Sequence, residues 1–176
     1  MDVTKALAFL ERHQPLPPDD QLSAELIRNY DEVRKFFIEH PDSRCIPLFL
    51  NSFGGESCFG VYQLVEDVFR PFPPEAIVSH LKESLSSVHW PVRYWRAQIA
   101  MAFPAPELLE PLEKLLRAGD SDTRVFAACA IGRICEQRNA QAIEVLRSAY
   151  ESETDIEVRK IMGEALSTVS EPQQLI

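Results

Sequence analysis

Basic residues are in deficit in this 176-residue chain: 18 Lys+Arg stand against 27 Asp+Glu, a formal net charge of -9. A nucleic-acid binder draws its affinity from Lys and Arg on phosphates, so this balance argues against that class. Glycine is scarce at 6 residues and no Gly, Ser or Gln tract appears; with 45% hydrophobic residues, a disordered or low-complexity chain is excluded. Cysteine is present but unpatterned. Cys45, Cys58, Cys129 and Cys135 form no C-x-x-C pair, which removes a zinc knuckle or a redox motif. Lying in apolar runs such as FAACAIGRIC, they are expected to be buried free thiols of a reducing compartment. No run approaches the ~20 apolar residues of a membrane span. The start MDVTKALAFLERH has no basic n-region, sustained apolar run or A-x-A site, so a cytoplasmic location is expected.

What is present is helical punctuation. Apolar residues recur at three and four rather than two, and strand signals are weak throughout. Helices are expected over 3–13, 21–39, 44–53, 57–70, 75–86, 92–103, 107–118, 122–136, 140–151 and 157–169. Asp19 and Asp20 are expected to cap the second. Gly54-Gly55 is expected to end the third in left-handed conformation. The breaks from residue 72 onward (FPP, HWP, PAP, AGDSD, ESETD) are short, which makes successive helices antiparallel neighbours.

Helix pairs repeat at about 31 to 35 residues. Aligned on Arg93, Arg124 and Arg159, the segments SVHWPVRYWRAQIAMAF, AGDSDTRVFAACAIGRI and ETDIEVRKIMGEALSTV share columns. Trp95, Phe126 and Ile161 form an apolar column, Ala97, Ala128 and Gly163 a small one, and Ile99, Ala130 and Ala165 another apolar or small one. Small columns let neighbouring helices approach closely. Asp120, Asp122, Glu153 and Asp155 sit in the turns, where carboxylates satisfy free N–H groups and meet the positive end of the helix dipole. A catalytic Arg would not recur in every repeat, so the three arginines are expected to be structural, bonding turn carbonyls or a neighbouring carboxylate.

These residues resemble the HEAT-repeat family, including its short bilin-lyase-type members. ETDIEVRKIMGEAL matches closely and LLRAGDSDTRVFAACAIG well, whereas SVHWPVRYWRAQIA keeps Val92-Arg93 but loses the acidic turn. The resemblance covers 75–170 well and 41–74 fairly, and is absent before residue 40. It implies an all-α fold: a short right-handed α-α superhelix of about four helix pairs in one domain, with 1–40 as an N-terminal helical cap. A divergent repeat over 41–74 would precede repeats at 75–104, 105–137 and 138–170, then a tail at 171–176.

Catalytic patterns are missing. His13, His40, His80 and His89 are far apart with no H-E-x-x-H or H-x-H spacing, so neither a metal site nor a cofactor is expected. GGESCFG has one residue too many after Ser57 for a nucleophile elbow. Glu66 and Asp67, adjacent on a helix, point about 100° apart and cannot share a proton as a dyad. As binding residues they are better placed, opposite the apolar face of Val61, Leu64, Val65, Val68 and Phe69. HWPVRYWR holds both tryptophans; Trp95 falls in the core column, while Trp90 and Tyr94 are candidate interface anchors. With Glu56 and Tyr62 these make the expected partner-binding set.

By segment the charge is -4 over 1–56, -1 over 57–118 and -4 over 119–176, and ESETDIE carries four carboxylates in seven residues. The family resemblance and the charge together imply a non-catalytic protein-interaction module. Its most concrete form is an immunity protein that neutralises a basic toxin, such as a nuclease domain, with neither nucleic acid nor membrane as partner. The alternative is a bilin-lyase-like accessory protein, for which Cys58, His89 and Glu66 would be the reactive candidates.

Overall fold

Asp2 opens the first helix. Its carboxylate accepts the Lys5 N–H at 2.9 Å, and α1 (Val3–Arg12) buries Ala6, Leu7 and Leu10 on one face. A computed structural model describes residues 1–86 and 90–170, except the side chains of residues 90–92, 118 and 170. Among the described residues the regular elements are all helical: α2 (Ala24–Glu39), α3 (Cys45–Ser52), α4 (Glu66–Phe69), α5 (Pro74–Ser84), α6 (Trp90–Ala102), α7 (Leu109–Ala118), α8 (Ser121–Glu136), α9 (Ala140–Ser152) and α10 (Ile156–Ser170). The fold is all-α. The chain gathers into two compact units, Met1–Arg96 and Ala97–Ile176, with the boundary inside α6.

In the first unit α2 begins later than the aspartates suggest. Ser23, in extended conformation, accepts the Leu26 N–H at 3.1 Å and is the cap, while Asp19 and Asp20 form a separate 3-10 turn. Tyr30 and Phe37 of α2 meet Phe49 of α3 edge to face, with ring centroids 5.8 and 6.0 Å away. The Tyr30 hydroxyl lies 2.6 Å from Ser52 Oγ, which donates to the Phe49 carbonyl at 2.8 Å. A buried phenol is thereby satisfied, as burial requires.

The glycines after α3 serve close approach rather than a left-handed stop. Gly60 is the glycine with positive φ among the described residues; a Cβ on Gly54 would lie 2.0 Å from the Leu16 carbonyl oxygen and one on Gly55 2.7 Å from Pro18 Cβ. The segment Leu16–Pro18 thus lies directly on bare backbone, with Leu16 buried and its N–H on the Ser52 carbonyl at 2.9 Å. The continuous helix expected over 57–70 is also absent. Cys58 and Phe59 both have φ of 49°, Gly60 follows at 91°, and only a 3-10 turn (Tyr62–Leu64) and the four-residue α4 remain.

Arg96 closes this unit. It is 2% exposed, and its guanidinium donates to the Leu50 carbonyl at 2.7 Å, to the Ser84 carbonyl and to Asn51 Oδ1. Leu50 and Ser84 lie in the last turns of α3 and α5, where carbonyls have no partner within the helix. One buried cation therefore caps two negative helix ends, and desolvation lowers its pKa to about 10, leaving it charged at neutral pH.

The second unit is built of helix pairs. α8 packs on α7 and, most extensively, on α10, with α9 beside both. Asp120 accepts the Thr123 N–H at 3.0 Å, Asn139 the Ala142 N–H at 2.9 Å, and Asp155 those of Glu157 and Val158 at 3.0 and 3.2 Å, so the starts of α8, α9 and α10 are capped. The close seam between α8 and α10 is set by Gly132, where a Cβ would come within 2.8 Å of Ala165 Cβ.

Candidate functional site

The turn at 57–60 is held by a carboxylate forty residues away in sequence. Asp19 accepts the N–H groups of Ser57, Cys58 and Phe59 at 3.2, 2.9 and 3.4 Å, and the Ser57 hydroxyl at 3.4 Å. Successive amides converging on one anion form a nest, and here the anion is part of the protein. The arrangement turns the Phe59 side chain into solvent, 67% exposed, and buries Cys58 completely. Burial pushes the Cys58 thiol up to about 12, with Asp19 and Asp31 adding to the shift, so it is not a nucleophile at neutral pH.

The residues singled out from the sequence divide around this turn. Glu56 is exposed, and its carbonyl accepts the Trp95 indole N–H at 3.0 Å. Tyr62 is not a surface residue: it is 2% exposed, stacked edge to face on Phe53 at 5.2 Å, and its hydroxyl accepts the Gly54 N–H at 2.8 Å. Because the 57–70 helix is broken, Tyr62 turns inward instead of continuing a helical surface. Glu66 and Asp67 are part-exposed and both bind Arg70, at 3.6 and 3.2 Å. Tyr94 is half-buried with its ring 5.1 Å from Trp95, itself in the core; the side chain of Trp90, and all of His89, lie outside the described residues. Asp19 is expected from the sequence only as a helix cap, and Phe59 is not a sequence candidate. The signal for them is subtle: a non-glycine pair before Gly60 in an otherwise helix-like stretch.

The repeat arginines, equivalent in sequence, differ in surroundings. Arg124 donates to the Gly119 carbonyl at 3.0 Å and to Glu153 at 3.0 Å, with Asp155 3.8 Å away. It ties its own turn to the next one. Asp155 also accepts the Ser121 hydroxyl at 2.6 Å, the main cause of its lowered pKa. Arg159 instead lies over the Tyr150 ring, 4.9 Å from its centroid. Arg93 is half-buried, and its Nε has no hydrogen-bond partner among the described residues. Asp122 is exposed on the first turn of α8.

Along α8 and α10 runs a shallow groove of about 230 Å³, floored by Gly132 and Ala165 and edged by Arg133, Glu136 and Glu164. Among the described residues no group of His, Cys, Asp and Glu could hold a metal ion, and no helix is long and apolar enough to cross a membrane. No curated protein matches the chain. A family model described as HEAT repeats does match, over residues 78–173. This span holds the Arg93, Arg124 and Arg159 turns and the α7–α10 pairs of the α-solenoid, the scaffold that HEAT repeats generally offer to other proteins. The match covers more than half the chain, and the protein belongs to the HEAT-repeat family.

Proposed function

We propose that this protein is a non-catalytic module that binds one basic protein, most concretely by covering and neutralising a basic toxin domain of the nuclease type. The observation carrying this reading is the fate of its charges. Exposed cations such as Lys5, Lys35, Arg44, Arg70, Lys114 and Arg133 are each paired with a carboxylate of the same chain. Among the described residues, Arg12, Arg28, Lys82 and Arg138 are exposed in no ion pair, and they are outnumbered by carboxylates in the same state, among them Glu11, Asp20, Glu25, Glu32, Glu39, Glu56, Glu75 and Glu83. This excess of free carboxylates over free cations steers a positively charged partner and speeds its association.

Reactive groups for the accessory-enzyme alternative are poorly placed. Cys58 is buried and protonated, and Glu66 lies beside Arg70. The test is affinity purification of the tagged full chain, then kinetic measurement on the purified partner. A basic partner should associate about 10-fold or more faster at low than at high salt. A neutral or acidic partner whose association ignores salt refutes the proposal.

A further inference from the structure

Phe59 stands where folding alone would choose another residue. Its φ of 49° is the left-handed region, which asparagine or glycine adopts with less strain than phenylalanine. Its ring is 67% exposed and makes no ring contact among the described residues, so it adds little to the core. The preceding residue, Cys58, shares the same φ. Two successive residues in this region are held by Asp19, which collects three N–H groups of the turn, and by the Gly60 and Val61 N–H groups on the Ser57 and Cys58 carbonyls at 3.1 and 3.0 Å. The outcome is an aromatic side chain displayed on a pinned backbone, so little loop entropy remains to be lost on binding.

The electrostatic setting selects the partner. No Lys or Arg occurs between Arg12 and Arg28 or between Arg44 and Arg70, the two segments that Asp19 joins. The charge of Asp19 faces the amides, leaving on the joined segments the exposed carboxylates of Glu56, three residues before the ring, and Asp20, the neighbour of Asp19. An exposed apolar ring on segments that carry free carboxylates and no cation is complementary to an apolar recess rimmed by Lys or Arg. It is mismatched to an anionic lipid surface and to a second copy of itself.

We infer that Phe59 is the anchor by which this protein docks on its partner, its ring entering an apolar recess while Asp20 and Glu56 meet basic residues at the rim. This rests on the reading of a basic protein partner and gives that reading a place on the surface. Aromatic anchors surrounded by a polar rim are the usual centres of binding energy in protein interfaces.

The test selects a displayed random-peptide library on the immobilised full chain, then measures the enriched peptides on wild type, Phe59→Ala, Phe59→Asn and the double variant Asp20→Asn/Glu56→Gln. Enriched peptides should join Lys or Arg to apolar residues and lose about 10-fold or more in affinity on either Phe59 variant. The double variant should weaken their salt dependence. Phe59→Asn should melt no lower than wild type, since it relieves φ while removing the ring, which separates lost binding from lost folding. Basic peptides that bind Phe59→Ala as well as wild type overturn the anchor but leave the basic partner standing. Enrichment of acidic or neutral peptides, or none, overturns both. Sedimentation with phosphatidylserine vesicles, or a dimer lost on Phe59→Ala, also overturns the inference.

Discussion

Replacing Arg96 is the sharpest probe of how the first unit is held. Its guanidinium reaches three acceptors, the carbonyls of Leu50 and Ser84 and the side chain of Asn51, and none is a carboxylate. Arg96→Met keeps much of the aliphatic volume but strips the buried Leu50 carbonyl of its donor and removes the part-buried bonds to Ser84 and Asn51. Leaving a buried carbonyl unsatisfied costs about 1–3 kcal/mol, and the two part-buried bonds add about 1 kcal/mol each, for about 3–5 kcal/mol in all. At this chain length each kcal/mol moves the midpoint by roughly 2–4 °C, so a fall on the order of 10 °C is expected. Arg96→Lys keeps the charge, yet one ammonium cannot span acceptors from two helix ends and a side chain. It should recover less than half of the loss. Urea denaturation followed by circular dichroism measures both variants, and amide exchange should quicken first in the last turns of α3 and α5. A Met variant within about 1 kcal/mol of wild type, or a Lys variant equal to it, would refute the double-cap account.

Gly54→Ala should destabilise by about 3 kcal/mol or prevent folding, because its Cβ would stand 2.0 Å from the Leu16 oxygen; thermal melting measures it. Arg124→Lys should cost about 1–2 kcal/mol in urea, since it loses the fork joining Gly119 and Glu153, and a Glu153→Gln cycle should show coupling. Native Cys45 and Cys58, raised by burial to about 12, should resist a thiol reagent at pH 8; part-exposed Cys129 should label first, and Cys129→Ser should abolish the early phase. The Asp155 carboxyl should titrate below the ordinary range by NMR and move back towards it in Ser121→Ala. A depressed carboxylate stabilises above its unfolded pKa and loses that as pH falls through its folded pKa, so the effect belongs to the acid limb alone.

Sequence periodicity located the second unit well because its signals are local. Caps, turn carboxylates and apolar spacing act within a few residues, and the expected 122–136 and 157–169 helices lie within a residue or two of α8 and α10. The first unit depends on long-range events that no window contains. Asp19 looked like a helix cap, but its carboxylate is engaged by Ser57, Cys58 and Phe59, leaving Ser23 to cap α2. That same capture breaks the 57–70 helix, buries Tyr62 and exposes Phe59. Gly54 and Gly55 looked like a stop signal, but what needs them is the chain crossing at Leu16–Pro18. The repeat alignment drew attention to Arg93, whereas Arg96, one turn on, does the capping because two helix ends converge on it.

The bond between Asp19 and the 57–59 amides spans 38 to 40 residues, and Asp19 follows directly on the Leu16–Pro18 segment that is seated on Gly54 and Gly55. A nascent or damaged chain whose N-terminal segment has come away keeps the phenylalanine but loses the geometry that displays it. The direction of the ring is thus a property of two segments held together rather than of the turn alone.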